Sequence, residues 1–213
     1  MNASRGGAVK RKPGVDQGSI LKTFSECDAI LDGHFLLSSG RHSERYLQCA
    51  LIQQYPDKLE KLCAVLGKEW KSSRPTVVVG PAMGGIVFAY ELARQVGAKG
   101  LFMERTETGF QLRRGFSIGH NDRVIVAEDV VTTGKSVREV LAALKNTGCQ
   151  VLGVTSLVCR DAKVDFGVPY KALLTIEVES YAAGDCPLCR KGSKAIKPGS
   201  RPDPTREGRP CGA

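Results

Sequence analysis

The sequence predicts an α/β domain with a central parallel sheet flanked by helices on both faces. Three observations lead there. Short β-branched runs occur, such as VVVG at Val77–Gly80 and VIVA at Val124–Ala127; apolar stripes of helical period lie between them; and the order strand, loop, helix repeats. A run apolar at every position belongs to a strand buried on both faces, so helices must cover both sides. Ligands of such sheets bind at the carboxyl ends of the strands, and chemistry is expected in the loops that follow them.

The first helix is expected from Ser19 as N-cap, with Leu21, Phe24, Ile30 and Leu31 as its apolar residues. Two short strands should follow around the Ser38-Ser39-Gly40 turn. After Pro56, Leu59, Leu62, Cys63, Leu66 and Trp70 fall at i, i+3, i+4, i+7 and i+11, one stripe on a helix. The first buried strand, Val77–Gly80, leads through the loop PAMGG to a helix from about Ile86 to Val96. Gly100–Met103 is the second strand and Val124–Ala127 the third. Val137, Val140, Leu141 and Leu144 mark the next helix, stopped by Gly148. Val151–Cys159 is the fourth strand. Residues 1–18 and 197–213 carry Gly, Pro and basic residues without apolar periodicity and are expected to lack a fixed fold, which leaves one folded domain over 19–196.

A chain of 213 residues with 42% hydrophobic content suits one such domain. No stretch approaches the roughly 20 apolar residues needed to cross a bilayer, and the first residues contain no apolar signal core. A soluble cytoplasmic protein without a membrane partner is expected. The net charge of +9 sits partly in the two ends. A basic cleft for an anionic small molecule accounts for the rest, and no helix-turn-helix or base-stacking aromatic set points to nucleic acid.

Eight cysteines in a chain of this length without a signal segment are expected as reduced thiols. Cys27, Cys63, Cys149 and Cys159 fall at apolar-periodic or strand positions, where a thiol acts as a small hydrophobe. Cys186 and Cys189 differ, because a CxxC spacing can place two thiolates on one metal or form a redox pair. No second pair or nearby histidine along the chain supplies the other two zinc ligands. The pair is therefore expected to be a structural turn, with no metal held by protein side chains.

The densest chemistry lies in VIVAEDVVTTGKS, Val124–Ser136. Four apolar residues deliver Glu128 and Asp129 to a strand end, and a Thr-Thr-Gly turn then feeds a helix N-terminus. Backbone N–H groups of Val131, Thr132, Thr133, Gly134 and Lys135 can wrap a phosphate, with hydroxyls from Thr132, Thr133 and Ser136. The carboxylates can accept hydrogen bonds from a cis-diol, which suggests a ribose whose 5-phosphate sits in the cradle. The bland reading, a capped helix beside solvated acids, leaves the joint spacing of strand, acidic pair and Thr-Thr-Gly unexplained. A Walker loop and a dinucleotide fingerprint are both absent.

This stretch resembles the signature of the type I phosphoribosyltransferases at every position of the pattern. The resemblance implies the type I fold, with Glu128 and Asp129 as ribose ligands, Val131–Ser136 as the 5-phosphate loop, and Mg²⁺ held largely by the substrate's diphosphate and hydroxyls. The loop Gly80–Ile86, with Ala82, Met83, Gly84 and Gly85, is similar to that family's diphosphate loop. Some orotate enzymes carry Lys where this chain has Gly84.

Three further segments resemble orotate phosphoribosyltransferases. The segment Gly33–Gln48, containing Ser39, Gly40 and Arg41, parallels that family's N-terminal hood, here about residues 19–55. Arg160 ends the fourth strand where the family's arginine holds the orotate carboxylate, a role that suits a guanidinium fork; a surface ion pair with Asp161 is the bland alternative. Residues 105–123 fit a mobile lid that contains no Lys, so Arg105, Arg113 and Arg114 are its cations. Arg105 is expected to serve the departing diphosphate, and Arg113 and Arg114 to assist closure. The resemblance implies orotate and 5-phosphoribosyl-1-diphosphate as substrates and a homodimer. The alternatives are a purine-type phosphoribosyltransferase, which Arg160 and the hood disfavour, and a regulatory binding protein of the same fold.

Overall fold

The valines at 77, 78 and 79 are fully buried, and their side chains alternate between two cores. Val78 shares one core with Ile125 and Leu157, while Val77 and Val79 join Val124, Val126 and Val154 in the other. The period of two along each strand thus supplies both faces of one sheet. The computed structural model describes residues 17–37 and 39–197; Ser38 and both basic chain ends, 1–16 and 198–213, lie outside the described residues.

In chain order the elements are α1 (Gln17–Glu26), β1 (Ile30–Leu36), β2 (His42–Leu47), α2 (Ala50–Gln53), α3 (Pro56–Trp70), β3 (Val77–Pro81), α4 (Gly85–Val96), β4 (Lys99–Thr106), β5 (Gly109–Gln111), β6 (Arg123–Val131), α5 (Lys135–Lys145), β7 (Gln150–Cys159), β8 (Tyr170–Thr175) and α6 (Pro187–Arg190). The main sheet has the order β5-β4-β3-β6-β7-β8. It is parallel from β4 to β8, and β5 is an antiparallel edge strand. The hairpin β1–β2 forms a separate two-stranded sheet. No described helix is long and apolar enough to cross a membrane.

The stripe predicted on α3 is buried in full: Leu59, Leu62, Cys63, Leu66 and Trp70 all face the first core. On the other side, α5 buries Val137, Val140 and Leu144. The predicted first helix needs correction. It begins at Gln17 rather than at a Ser19 cap, and it ends at Glu26, so Ile30 and Leu31 belong to β1. Asp28 adopts a left-handed conformation (φ 50°), and such a residue breaks a helix. Two strands escaped the sequence reading. β8 has a shorter buried run beside polar neighbours, and β5 is only three residues long. The first part of segment 105–123 is accordingly a β4–β5 hairpin, pairing Arg105 with Phe110 and Thr106 with Gly109.

Helix α3 rests on β7 at Gly153. A methyl group there would lie 2.4 Å from both the Trp70 ring and the Pro169 carbonyl oxygen. Neither neighbour can move without shifting a helix or a strand. Gly153→Ala is expected to cost about 2–3 kcal/mol of overpacking, roughly 4–12 °C in Tm at this chain length. Gly119→Ala, with open space around its Cβ, is the control, and calorimetric melting of both variants that gave equal Tm values would refute this account of the α3 contact.

Candidate active site

The carboxyl ends of β3, β6 and β7 share one edge of the sheet, and the loop after each carries a different part of the site. Glu128 and Asp129 stand near the end of β6. Burial, and then the neighbouring Asp129, push the Glu128 carboxyl up to about 9. Burial also raises Asp129, against hydrogen bonds that favour its charge. Its Oδ1 accepts the Val130 N–H at 2.8 Å, and its Oδ2 accepts Gln53 Nε2 at 3.4 Å. Glu128 is buried and Asp129 half-buried, the charge of Arg105 offsets their repulsion only in small part, and such a pair holds a proton and is primed to accept donors or a positive charge.

Gln53, on α2, was not read from the sequence. Its amide also donates to the Gly84 carbonyl at 3.2 Å, so one side chain ties the loop after β3 to the acidic pair. That loop lies close to β6. A Cβ on Gly84 would fall 2.9 Å from Asp129 Oδ2, and one on Gly80 would fall 2.4 Å from the Gly85 carbonyl. Small residues at 80–85 therefore follow from backbone proximity, and Gly84 in particular leaves Asp129 uncovered. Ala82 donates its N–H to the Met103 carbonyl, and Met83 projects into solvent with 83% of its surface exposed.

After Val131 the chain turns through Thr132 and Thr133 to Gly134, the N-cap of α5, at φ 73°. No side chain caps this helix end, so its first N–H groups, around Lys135 and Ser136, stay open to an anion. Arg138 clamps the turn from outside by donating to the Thr133 and Asp165 carbonyls while its guanidinium lies 5.4 Å from the Phe166 ring.

A cavity of about 270 Å³ opens beside these groups. Asp129, Thr132 and Arg160 form its sheet side, and Leu37 and Tyr46 of the hood form the opposite wall. Arg160 donates its backbone N–H to the Val131 carbonyl, and burial pushes its guanidinium pKa down. The surface-pair alternative does not describe it: Asp161 instead accepts the Lys163 N–H. Lys197, assigned from composition to an unstructured tail, also lines this cavity.

Several predicted residues stand elsewhere. Arg41 donates to Ser180 in the C-terminal segment, and Ser39, Gly40 and Arg41 do not line the cavity. Arg105 forms an ion pair with Glu139 of α5 at 2.7 Å and lies 4.4 Å from the Phe110 ring centre. Lys135 is 3.9 Å from the same Glu139. Arg113 and Arg114 both pair with Glu104. The three lid cations are thus held by acids outside the Glu128–Asp129 pair.

The expectation that Cys186 and Cys189 have only each other as potential ligands is corrected by the structure. His34 and His42 face them, and the four ligand atoms lie within 4.8 Å of one another. The histidines come from the hood hairpin, about 150 positions away from CxxC along the chain, so only the fold brings them together.

Comparison with known proteins identifies the family. The Phosphoribosyl transferase domain family matches residues 52–179. The chain is similar to an "Orotate phosphoribosyltransferase" of Pelotomaculum thermopropionicum, with 53% identity over 88% of this chain and 99% of the relative. It is similar to one of Caldanaerobacter subterraneus, with 47% identity over the same shares. Among solved structures, orotate phosphoribosyltransferase from Aeropyrum pernix is similar at a TM-score of 0.62 and 27% identity, covering 73% of this chain and 93% of that one.

The acidic pair carries a pH signature. Because the folded value of Glu128 lies above the ordinary 4.5, the folded protein keeps a proton that the unfolded chain releases. Stability from this group is full below 4.5 and falls as pH rises toward about 9. Glu128→Gln mimics the protonated form, so its Tm should match the parent's near the acid end of this window and exceed it by several degrees near the alkaline end. Melts at both ends would sink the idea if the difference did not change with pH.

Proposed function

The chain belongs to the orotate phosphoribosyltransferase family, and on that basis we propose that it joins orotate to the phosphoribosyl group of 5-phosphoribosyl-1-diphosphate, giving orotidine 5-monophosphate and diphosphate. The observation that carries this reading is the placement of Asp129, Thr132 and Arg160 around one cavity at the ends of β6 and β7. The 5-phosphate fits the open end of α5 through the N–H groups and hydroxyls of Thr132–Ser136. The ribose diol then meets Glu128 and Asp129, whose carboxyls gain donors beyond those that Val130 and Gln53 already give Asp129. Diphosphate lies against the backbone of 82–85, which small side chains leave accessible. Arg160 supplies a desolvated fork for the orotate carboxylate.

In the reaction, the bond from C1 of the ribose to the diphosphate oxygen breaks with its electron pair going to that oxygen, a bond from N1 of orotate to C1 forms, and the N1 proton passes to the departing diphosphate. The site's contribution is position and electrostatics. Mg²⁺ fits the two clustered carboxyls: Glu128 and Asp129 would face it through the ribose, and when bound it neutralises charge on the departing diphosphate. Arg105 would have to exchange Glu139 for the diphosphate to assist departure, so lid closure and release of that ion pair go together.

A homodimer is supported by an uncovered apolar stripe next to the diphosphate loop. Met83 of the loop and Val87 and Tyr90, three residues apart on α4, are 83%, 47% and 67% exposed. Val87→Asp with Tyr90→Asp is expected to shift the elution volume to that of a monomer; an unchanged volume would place any interface elsewhere.

Orotate consumption, followed by ultraviolet absorbance with and without Mg²⁺, tests the activity directly, and no consumption with both substrates and Mg²⁺ present would overturn it. Arg160→Ala should raise KM for orotate about tenfold or more and leave that for the donor nearly unchanged, the scale of one lost charged hydrogen-bond pair. Asp129→Asn should weaken donor binding about tenfold by calorimetry. Arg105→Ala should lower kcat/KM by about 10²-fold, and replacing Arg113 and Arg114 together should cost less and act through KM. A larger kcat loss in the double variant would move the catalytic role to the returning arm of the lid.

A further inference from the structure

We propose that His34, His42, Cys186 and Cys189 form a closed tetrahedral zinc site that staples the C-terminal segment onto the hood. The four ligand atoms converge from two distant stretches of chain. His34 Nε2 lies 2.9 Å from His42 Nδ1 and 3.4 Å from Cys186 Sγ, while Cys189 Sγ lies 3.3 Å from His42 Nδ1 and 3.8 Å from His34 Nε2. Zinc bonds of ≈ 2.0–2.1 Å to nitrogen and ≈ 2.3 Å to sulfur give tetrahedral edges of roughly 3.3–3.8 Å. Three of these four separations fall in that range, the two nitrogens stand closer at 2.9 Å, and the remaining pairs, both involving Cys186 Sγ, lie within 4.8 Å, so metal binding would draw the four atoms to a common centre.

Hydrogen bonding alone does not account for the arrangement. Nε2 of His34 faces His42 Nδ1 and both sulfurs, yet one ring nitrogen offers a single proton or a single lone pair. A cation at the centre gives all four lone pairs a partner. The other nitrogen of His34, Nδ1, lies 3.2 Å from Ser193 Oγ. A proton held there leaves Nε2 bare for metal, the outer partner usual for a ligating histidine.

The surroundings specify a structural site. Cys186 is 0%, His34 6% and His42 9% exposed while Cys189 is half-buried, and four protein ligands fill a tetrahedral set, the mark of a structural rather than a catalytic site. The same two stretches are also joined by backbone: His42 exchanges hydrogen bonds with Tyr181, and Ile196 with His34 and Leu36. A two-stranded hairpin is marginal alone, and these bonds with the metal fix β1–β2 to residues 181–196. Sulfur–nitrogen coordination of this kind selects zinc over magnesium or calcium.

The test uses the full chain, purified reduced. Elemental analysis should find about one zinc per chain, and the Cys186→Ser, Cys189→Ser variant should lose it. Stripping the parent protein with a chelator and titrating Co²⁺ should give the visible spectrum of tetrahedral cobalt with thiolate ligands, saturating at one equivalent; this arm needs no variant. Chelation should lower Tm by several degrees and speed tryptic cleavage at Arg190, Lys191 and Lys194 several-fold, both reversed by zinc. Absence of bound zinc together with no Co²⁺ spectrum in the stripped chain would overturn the site, as would a Cys186–Cys189 disulfide in the reduced preparation. None of these readouts depends on turnover of orotate, so the metal site and the proposed reaction stand or fall separately.

Discussion

Two adjacent carboxyls are buried at the end of a strand that is otherwise almost wholly apolar, and the surrounding structure is arranged around that cost. Val130 and Gln53 each donate to Asp129, but neither brings charge. Gln53 then couples the acids to the loop after β3, and the absence of a side chain at Gly84 keeps that loop within reach. The free site stores an electrostatic deficit that a polyhydroxyl, polyanionic ligand with its cation would relieve. Selectivity follows, because a ligand that brings only negative charge meets two acids, whereas a sugar that brings donors meets two acceptors.

The sheet was legible because periodicity of two and of 3.6 are local properties. The α3 stripe and the buried runs of β3, β6 and β7 need no knowledge of the rest of the chain, whereas β4 buries only Met103. Element ends were less legible: Ile30 and Leu31 continue an apolar pattern past Glu26, and only the left-handed turn at Asp28 shows where the helix stops. The acidic pair, the phosphate turn and Arg160 were legible as motifs. Lys197, Gln53 and the His34–His42 pair were not, because each becomes significant only through a partner distant in sequence. Arg41 shows the converse. It lies in a segment that resembles a family hood, yet its guanidinium is engaged by Ser180.

The lid cations illustrate how a resting structure sets the cost of closure. Arg105 stacks on Phe110 and pairs with Glu139, while Arg113 and Arg114 share Glu104. These side chains are mostly exposed, so each pair is weak and screened. Weak pairing suits groups that must be recruited by a stronger anion. A deeply buried pair in the same place would hold the lid arginines against any substrate.

The bridges between the hood and residues 181–196 bear on how the protein is made. His34 and Ser193 are 159 positions apart, so the first strands to leave the ribosome pair with nearly the last described residues. Translation at about 5–20 residues per second leaves β1 and β2 waiting seconds or longer for that partner. The main sheet is complete at Thr175, so a chain cut shortly after it would keep every ladder of that sheet and lose the backbone bonds from Tyr181 and Ile196 that anchor the hood.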